Sequence, residues 1–400
     1  MPEAVIVATG RTPIGRAMKG SLVDCRPDDL TALVITAVLA KLPQLDPQTV
    51  EDIMVGCAQP AGESGFNLGR VAGILAGLDV PGTTVNRYCS SSLQTIRMAA
   101  HAIKAGEGDV FIAAGVETVS RFANGASDRG PHNPRFADAE ARTEARSTAV
   151  GEPWSPQPGL PDVYIAMGQT AENVAEYKQV SRQDMDEFAL TSQMRAVESQ
   201  QNGFFEREIV PVTTPDGTVV TKDDGPRPST TLEGLSQLKP VFREGGTITA
   251  GNACPLNDGA AAVVVMSDTR AAELGITPLA RIVASGVSAL SPEIMGLGPV
   301  EAVRQTLKRA GMTIDDIDLV EINEAFAAQV IPSARELGIG YDKLNVHGGA
   351  IALGHPFGQT GARIMTTLLN GLEDADKTFG LESMCVGGGQ GMAMIVERLS

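Results

Sequence analysis

Residues 84–98 read TVNRYCSSSLQTIRM, and the way this stretch changes period sets the fold. Thr83, Thr84 and Val85 form a short β-prone run; after Cys89, Leu93, Ile96, Arg97 and Ala100 recur at helical spacing, so Cys89 stands where a strand turns into a helix. A helix start presents unpaired N–H groups and partial positive charge, which favour a thiolate and make Cys89 a candidate nucleophile. The plain alternative is a small, inert core residue, the commoner fate of a free cysteine.

The same strand-to-helix grammar extends in both directions. Residues 4–8 (AVIVA) are a buried-strand candidate, Asp28 or Asp29 can cap a helix running to Lys41, and Ile53–Val55 and 109–115 (DVFIAAG) are further short strands, with a small-residue helix over 67–78 between them. This alternation predicts a largely parallel sheet with helices on both faces. Residues 122–162 are rich in Pro, Gly, Asn and charge and read as a loop-rich insertion. Two helices follow, 165–178 and one capped by Ser181 that ends near Gly203; residues 211–250 are again irregular, and regular structure resumes at 260–266 (AAAVVVM). The second half repeats the first: a helix over 300–309 and DDIDLVEINEAF parallel the helix from Asp29 and TVEDIMVGCAQP, and NVHGGAIALGHPFGQTGARIM parallels TTVNRYCSSSLQTIRM. A duplicated βα unit follows, with a site at the junction drawing on both halves.

Composition narrows the functions. Four hundred residues, 43% hydrophobic and only 4% aromatic, with 44 glycines, suit closely packed helices on sheets in two or three domains. A net charge of -16 argues against nucleic acid and gives no general attraction to an anionic membrane. Five scattered cysteines and four histidines lack disulfide-framework or metal-ligand spacing, so no metal and a reducing, cytoplasmic setting are expected. MPEAVIVATG lacks a basic leader and no apolar run is long enough to span a bilayer, so neither a signal peptide nor a membrane segment is expected.

Three more stretches carry chemistry. His355, between Gly354 and Pro356 before a helix start, suits a base or hydrogen-bond donor, or else a capping residue; His347 reads as structural. Cys385 opens CVGGGQG, whose bare backbone can hold an oxyanion, so this second thiol suits an acid or base, or else a strand residue. Asn323 and Glu324 fall at the carboxyl end of strand 319–322, where an amide can hold a water or carbonyl, or cap a helix. Claisen condensation or thiolysis requires a thioester carrier, a base for an α-proton and support for two oxyanions; two thiols, one histidine and glycine-rich backbone supply that set.

NxxCSS, NEAFA, GGAIALGHP and CxGGGQG, in this order, together with AMGQTAENVA, TITAGNA and LNDGAAA, resemble the thiolase (acetyl-CoA C-acyltransferase) family over nearly the whole chain. The resemblance implies two similar βα halves stacked in five αβαβα layers: residues 1–120 completed by 247–269, and 270–400. It also implies a CoA-binding loop domain inserted at 121–246, a homodimer or homotetramer, and CoA or acyl-CoA as substrate with no permanently bound cofactor. By motif, Cys89 is the acylated nucleophile, His355 its base, and Cys385 the proton carrier at the α-carbon. Asn323 holds a water that forms one oxyanion hole with His355, and the N–H groups of Cys89 and Gly387 form the other. Met167, Arg227, Ala250 and Cys254 line the CoA site. The implied activity is thiolytic cleavage of 3-oxoacyl-CoA, as in β-oxidation, or the reverse condensation. Ser92 stands where the family shows Gly, Cys254 and Pro255 replace Ser and Gly after GNA, and His347 replaces Asn. A β-ketoacyl synthase-like enzyme, which pairs its cysteine with two histidines or a His and an Asn, fits Cys385 poorly. A non-catalytic CoA or lipid carrier would lose Cys89, His355 or NEAF, and a cysteine hydrolase would pass the acyl group to water.

Overall fold

A computed structural model describes residues 2–148 and 153–400. Its strands are β1 Ala4–Arg11, β2 Gly15–Arg16, β3 Asp52–Gly56, β4 Gly82–Val85, β5 Val110–Thr118, β6 Val212–Thr213, β7 Val219–Val220, β8 Asn257–Ser267, β9 Ala280–Ala289, β10 Leu319–Ile322, β11 Phe379–Val386 and β12 Gln390–Arg398. The large sheet runs β10-β11-β12-β9-β1-β8-β5-β3-β4, and β1 meets β9 over only two residue pairs, so it divides there into two halves.

The halves share one strand order. The first reads β4-β3-β5-β8-β1; the second reads β10-β11-β12-β9, and the isolated parallel bridge from Leu344 to Val320 stands beside β10 where β4 stands beside β3. The duplication expected from the sequence is present, but the expected parallel sheet is not. Only β3–β4, β3–β5 and β10–β11 are parallel, whereas β8 runs antiparallel to β1 and β5, and β12 to β9 and β11. The βα repeats fix direction only locally. The tight turn Gly387–Gly389, with Gly388 and Gly389 at φ 77° and 79°, sends β12 back along β11.

Apolar residues fill three spaces between the layers. One lies between the first half-sheet and the helices Pro27–Ala40 and Leu68–Leu75, a second around the helices Ser91–Ala105 and Thr360–Asp374 between the two half-sheets, and a third beneath Gly298–Ala310 and Ala327–Leu337. The layers are therefore αβαβα. In the middle layer a side chain at Gly361 would collide with the backbone of Leu93, so glycine lets the two helices touch.

Helix Pro27–Ala40 begins at Arg26 with no side-chain cap, and Asp28 pairs with Arg26 instead of capping. Ser181 does cap Arg182–Gln201, its Oγ accepting from Asp184 N at 3.0 Å. The insertion is more ordered than expected: it contains a helix, Ala137–Ser147, and a small β6–β7 hairpin, while residues 149–152 of the expected loop lie outside the described residues. Buried Arg11 ties β1 to this region through Glu208 (2.6 Å) and Asp223 (2.7 Å). No helix among the described residues is long and apolar enough to cross a membrane.

Candidate active site

Tyr88 adopts a left-handed φ of 43°, which turns the chain out of β4 and into the 3-10 turn that opens the helix Ser91–Ala105, with Cys89 at the bend. Cys89 is 8% exposed. Burial pushes its pKa up to about 11, although the N–H groups of Gly387 and of Cys89 itself face the thiol and act in the opposite direction. The helix-start argument therefore loses to desolvation: the resting group is a thiol and needs a base. Gly387 reaches it because the β11–β12 turn packs against the ring of Tyr88.

His355 lies between the short helix Ala350–Leu353 and the helix Thr360–Asp374, its backbone N–H bound to Asn257 Oδ1 at 3.0 Å. Its Nδ1 is 2.6 Å from Thr360 Oγ1, which is itself 2.7 Å from the carbonyl of Pro356. A hydroxyl has one hydrogen and the carbonyl can only accept it, so the ring hydrogen is assigned to Nδ1, which donates to Thr360. Nε2 is left with its lone pair, facing Asn323 Nδ2 at 3.3 Å. Burial, with the nearby charge of Arg363, lowers the His355 pKa to about 3 and keeps the ring neutral. No direct hydrogen bond joins it to Cys89 among the described residues.

Asn323 follows β10, fixed by its N–H to Ser383 O at 2.9 Å, and its buried Oδ1 has no protein partner. Glu324 is structural: its carboxylate accepts from Ser192 Oγ (2.6 Å), Asn345 Nδ2 (2.9 Å) and Ile351 N (3.1 Å), joining the helix Arg182–Gln201 to the second half. Cys385 lies inside β11, fully buried, and accepts from Gln329 Nε2 at 2.7 Å. Burial and the neighbouring sulfurs of Cys89 and Cys254 push its pKa well up. The three thiols thus form one cluster with the His355–Asn323 pair beside Cys385's strand.

A cleft of about 340 Å³ opens beside Cys254 and is also lined by Arg16, Arg227, Phe242, Ala250 and Ala352. It brings together three of the four residues expected at the CoA site. Met167 is not among its lining; it begins the helix Met167–Tyr177, and its neighbour Gly168 lies against the Phe242 ring.

The departures fit locally. Ser92 Oγ accepts from Ala362 N at 2.9 Å, linking the two middle-layer helices. His347 stacks on Phe204 at 3.5 Å with Nδ1 3.1 Å from Ser199 Oγ, and burial lowers its pKa to about 4. Cys254 N–H donates to Ala325 O at 3.0 Å, placing its thiol by backbone pairing. Sequence reading missed Asn257, Gln329 and Thr360; Gln329 is a polar residue embedded in an apolar, small-residue run, while Asn257 beside Asp258 and Thr360 beside Gln359 carry no such signal.

Residues 4–269 match the family model "Thiolase, N-terminal domain" and residues 276–398 match "Thiolase, C-terminal domain". The chain belongs to the thiolase family. This thiolase is 46% identical to the beta-ketoadipyl-CoA thiolase of Acinetobacter baylyi and 44% identical to the 3-ketoacyl-CoA thiolase of Aeromonas hydrophila, with 100% of each chain covered in both cases. Among solved structures it resembles the dimeric peroxisomal thiolase of Saccharomyces cerevisiae (TM-score 0.89, 36% identity, covering 99% of this chain and 97% of that one). It also resembles the Bacillus anthracis acetyl-CoA acetyltransferase (TM-score 0.86, 37% identity, 100% and 99%). The thiolase is an acyltransferase by family.

Proposed function

We propose that this thiolase cleaves 3-oxoacyl-CoA with CoA to give acetyl-CoA and a shortened acyl-CoA, and runs the reverse condensation, with the acyl group carried on Cys89. His355 Nε2 takes the Cys89 proton, and the thiolate adds to the 3-oxo carbon while the oxyanion is held by donors of the site. The carbon–carbon bond breaks, the departing acetyl-CoA enolate takes a proton from Cys385, and the Cys385 thiolate then deprotonates incoming CoA, whose sulfur displaces the acyl group from Cys89; the departing Cys89 thiolate takes back the proton held on His355. The N–H groups of Cys89 and Gly387 serve one oxyanion; Asn323, through a water, and the protonated His355 serve the other. The observation that carries this reading is the pair of N–H groups facing Cys89 with a second thiol, Cys385, in the same cluster.

Arg227, Ala250 and Cys254 border the cleft proposed to take CoA, with the loop domain at 121–246 supplying about half of its wall; Met167, also proposed for this site, lies outside that lining. The proposed place in β-oxidation accords with relatives named 3-ketoacyl-CoA thiolase, and of the proposed cytoplasmic homodimer or homotetramer only the dimer has support, from the dimeric yeast neighbour. The likeness to beta-ketoadipyl-CoA thiolases favours a second substrate, a 3-oxoacyl-CoA ending in a carboxylate. Mass spectrometry after incubation with acetyl-CoA should find acetyl on Cys89; acetylation confined to Cys25, Cys57 or Cys254 overturns the mechanism. Thiolysis rates across chain lengths, with 3-oxoadipyl-CoA among them, decide between the substrates, and release of free acid instead of acyl-CoA would make the chain a hydrolase.

A further inference from the structure

Gln329 sits in the first turn of the helix Ala327–Leu337, 1% exposed, with its Cβ seated over Gly296, where any larger residue would push it away. From there its Nε2 lies 2.7 Å from Cys385 Sγ and 3.4 Å from the carbonyl of Asn323, while its buried Oε1 has no protein partner. One side chain thus touches both the second thiol and the backbone of the oxyanion residue. Asn323 Oδ1 is likewise buried without a partner.

We propose that Gln329 is the positioning residue of Cys385, donating its Nε2–H to the sulfur when Cys385 is a thiolate and holding that sulfur at the α-carbon. The assignment rests on the reading of Cys385 as the proton carrier. In the condensing direction the α-C–H bond breaks and an S–H bond forms on Cys385; the C–H electron pair moves into the enolate, whose oxygen is held by the site. Before this step and after enolate protonation in thiolysis, Cys385 carries a full negative charge in a site where no cation is hydrogen-bonded to it. An amide N–H is then the donor at hand. The same amide carries an unused acceptor: turned about its last bond, Oε1 can receive the S–H of the neutral thiol. Gln329 can therefore follow the sulfur through both protonation states without changing its own charge.

A hydrogen bond to a charged sulfur is of a size that alters a rate about 10- to 100-fold. Gln329→Met keeps the bulk and removes donor and acceptor; Gln329→Glu keeps the shape and replaces the donor by an acceptor. Each variant is compared with the parent enzyme in three measurements: acetylation of Cys89 by acetyl-CoA, turnover and Michaelis constants in acetoacetyl-CoA thiolysis, and the pH dependence of Cys385 alkylation, read peptide by peptide in enzyme whose Cys89 is acetylated; Cys385→Ala is the control in the first two. Acetylation forms no carbanion and CoA can depart as a thiolate, so in both variants it should fall much less than thiolysis does, which shows that they fold. Thiolysis turnover should fall about 10- to 100-fold with the Michaelis constant for CoA unchanged, and the alkylation profile should move to higher pH. A packing role predicts instead that Gln329→Glu keeps nearly full turnover from pH 6 to 9 and that the alkylation profile stays in place; that result overturns the assignment. If Cys385→Ala itself keeps thiolysis, the proton-carrier reading fails; if it is inactive while Gln329→Met is normal, Gln329 alone is wrongly assigned.

Discussion

Acidification through the range where histidine ordinarily titrates should leave the acetylation of Cys89 almost untouched. Burial and the nearby Arg363 lower the His355 pKa from 6.5 to about 3, and its Nδ1–H is committed to Thr360, so the base at Nε2 is present throughout. At pH 5 a histidine of ordinary pKa is about 97% protonated and a rate that needs it neutral falls about 30-fold; a histidine near 3 is about 1% protonated and loses nothing measurable. Stability has to be kept apart from rate. His355 and His347 have lowered folded pKa values, so the unfolded chain binds more protons between those values and 6.5, and by pH 5 each removes about 2 kcal/mol of stability. Glu117 and Glu321, raised by burial to about 7 and about 8, have the opposite sign over the same window and offset this by a similar amount. The fold should therefore survive at pH 5. The assay is rapid-quench mass spectrometry of the Cys89 peptide from pH 8 to pH 5, with circular dichroism at each point. An acid limb with an apparent pKa near 6.5, while the circular dichroism holds, would falsify the neutral, buried base.

Three further substitutions test separate parts of the site. Cys385→Ala should still be acetylated at Cys89 yet lose about 10²–10⁴-fold in thiolysis of acetoacetyl-CoA, the usual contribution of an acid–base group; near-normal thiolysis would make Cys385 a strand residue only. Cys254→Ser should raise the Michaelis constant for CoA more than it lowers turnover, because the thiol borders the cleft without bond making, and a thousandfold loss of turnover at unchanged binding would contradict this. Ser92→Ala removes the acceptor for the buried N–H of Ala362 in the first turn of its helix, and should cost about 1–3 kcal/mol in a denaturant titration; a variant as stable as the parent would show that the bond contributes nothing.

Local chemistry explains which elements could be read in advance. The strand Leu319–Ile322 and the cap at Ser181 depend on neighbours in sequence, and both lie where the pattern puts them. Sheet direction does not depend on neighbours: β5 and β8 pair across the whole inserted region, and nothing in either strand states that the partner runs the other way. The helix Ala137–Ser147 was illegible for a different reason. Its sequence, ADAEARTEARS, is made of good helix formers but buries only Ala139, so it lacks the apolar stripe on which periodicity depends.

The site shows the same division. Cys89, His355, Asn323 and Cys385 stood out as candidates because each sits in a short run of unusual composition, but the protonation state of Cys89 did not, since the helix start argued for a thiolate and burial, which no local stretch reports, acts the other way. Gln329, Thr360 and Asn257 act only through tertiary contact. Their discovery in the structure changes how the chemistry reads. The resting groups are two thiols, an imidazole and two amides, all neutral and all buried, in a chain of net charge -16. In the proposed chemistry charge arises there only as a proton moves, and a donor lies at each such place: the N–H groups of Gly387 and Cys89 near one sulfur, the amide of Gln329 on the other, and Asn323 beside the imidazole. Because these groups are buried, those few dipoles act at a lower dielectric than at the surface, where they would stabilise a transient charge more strongly.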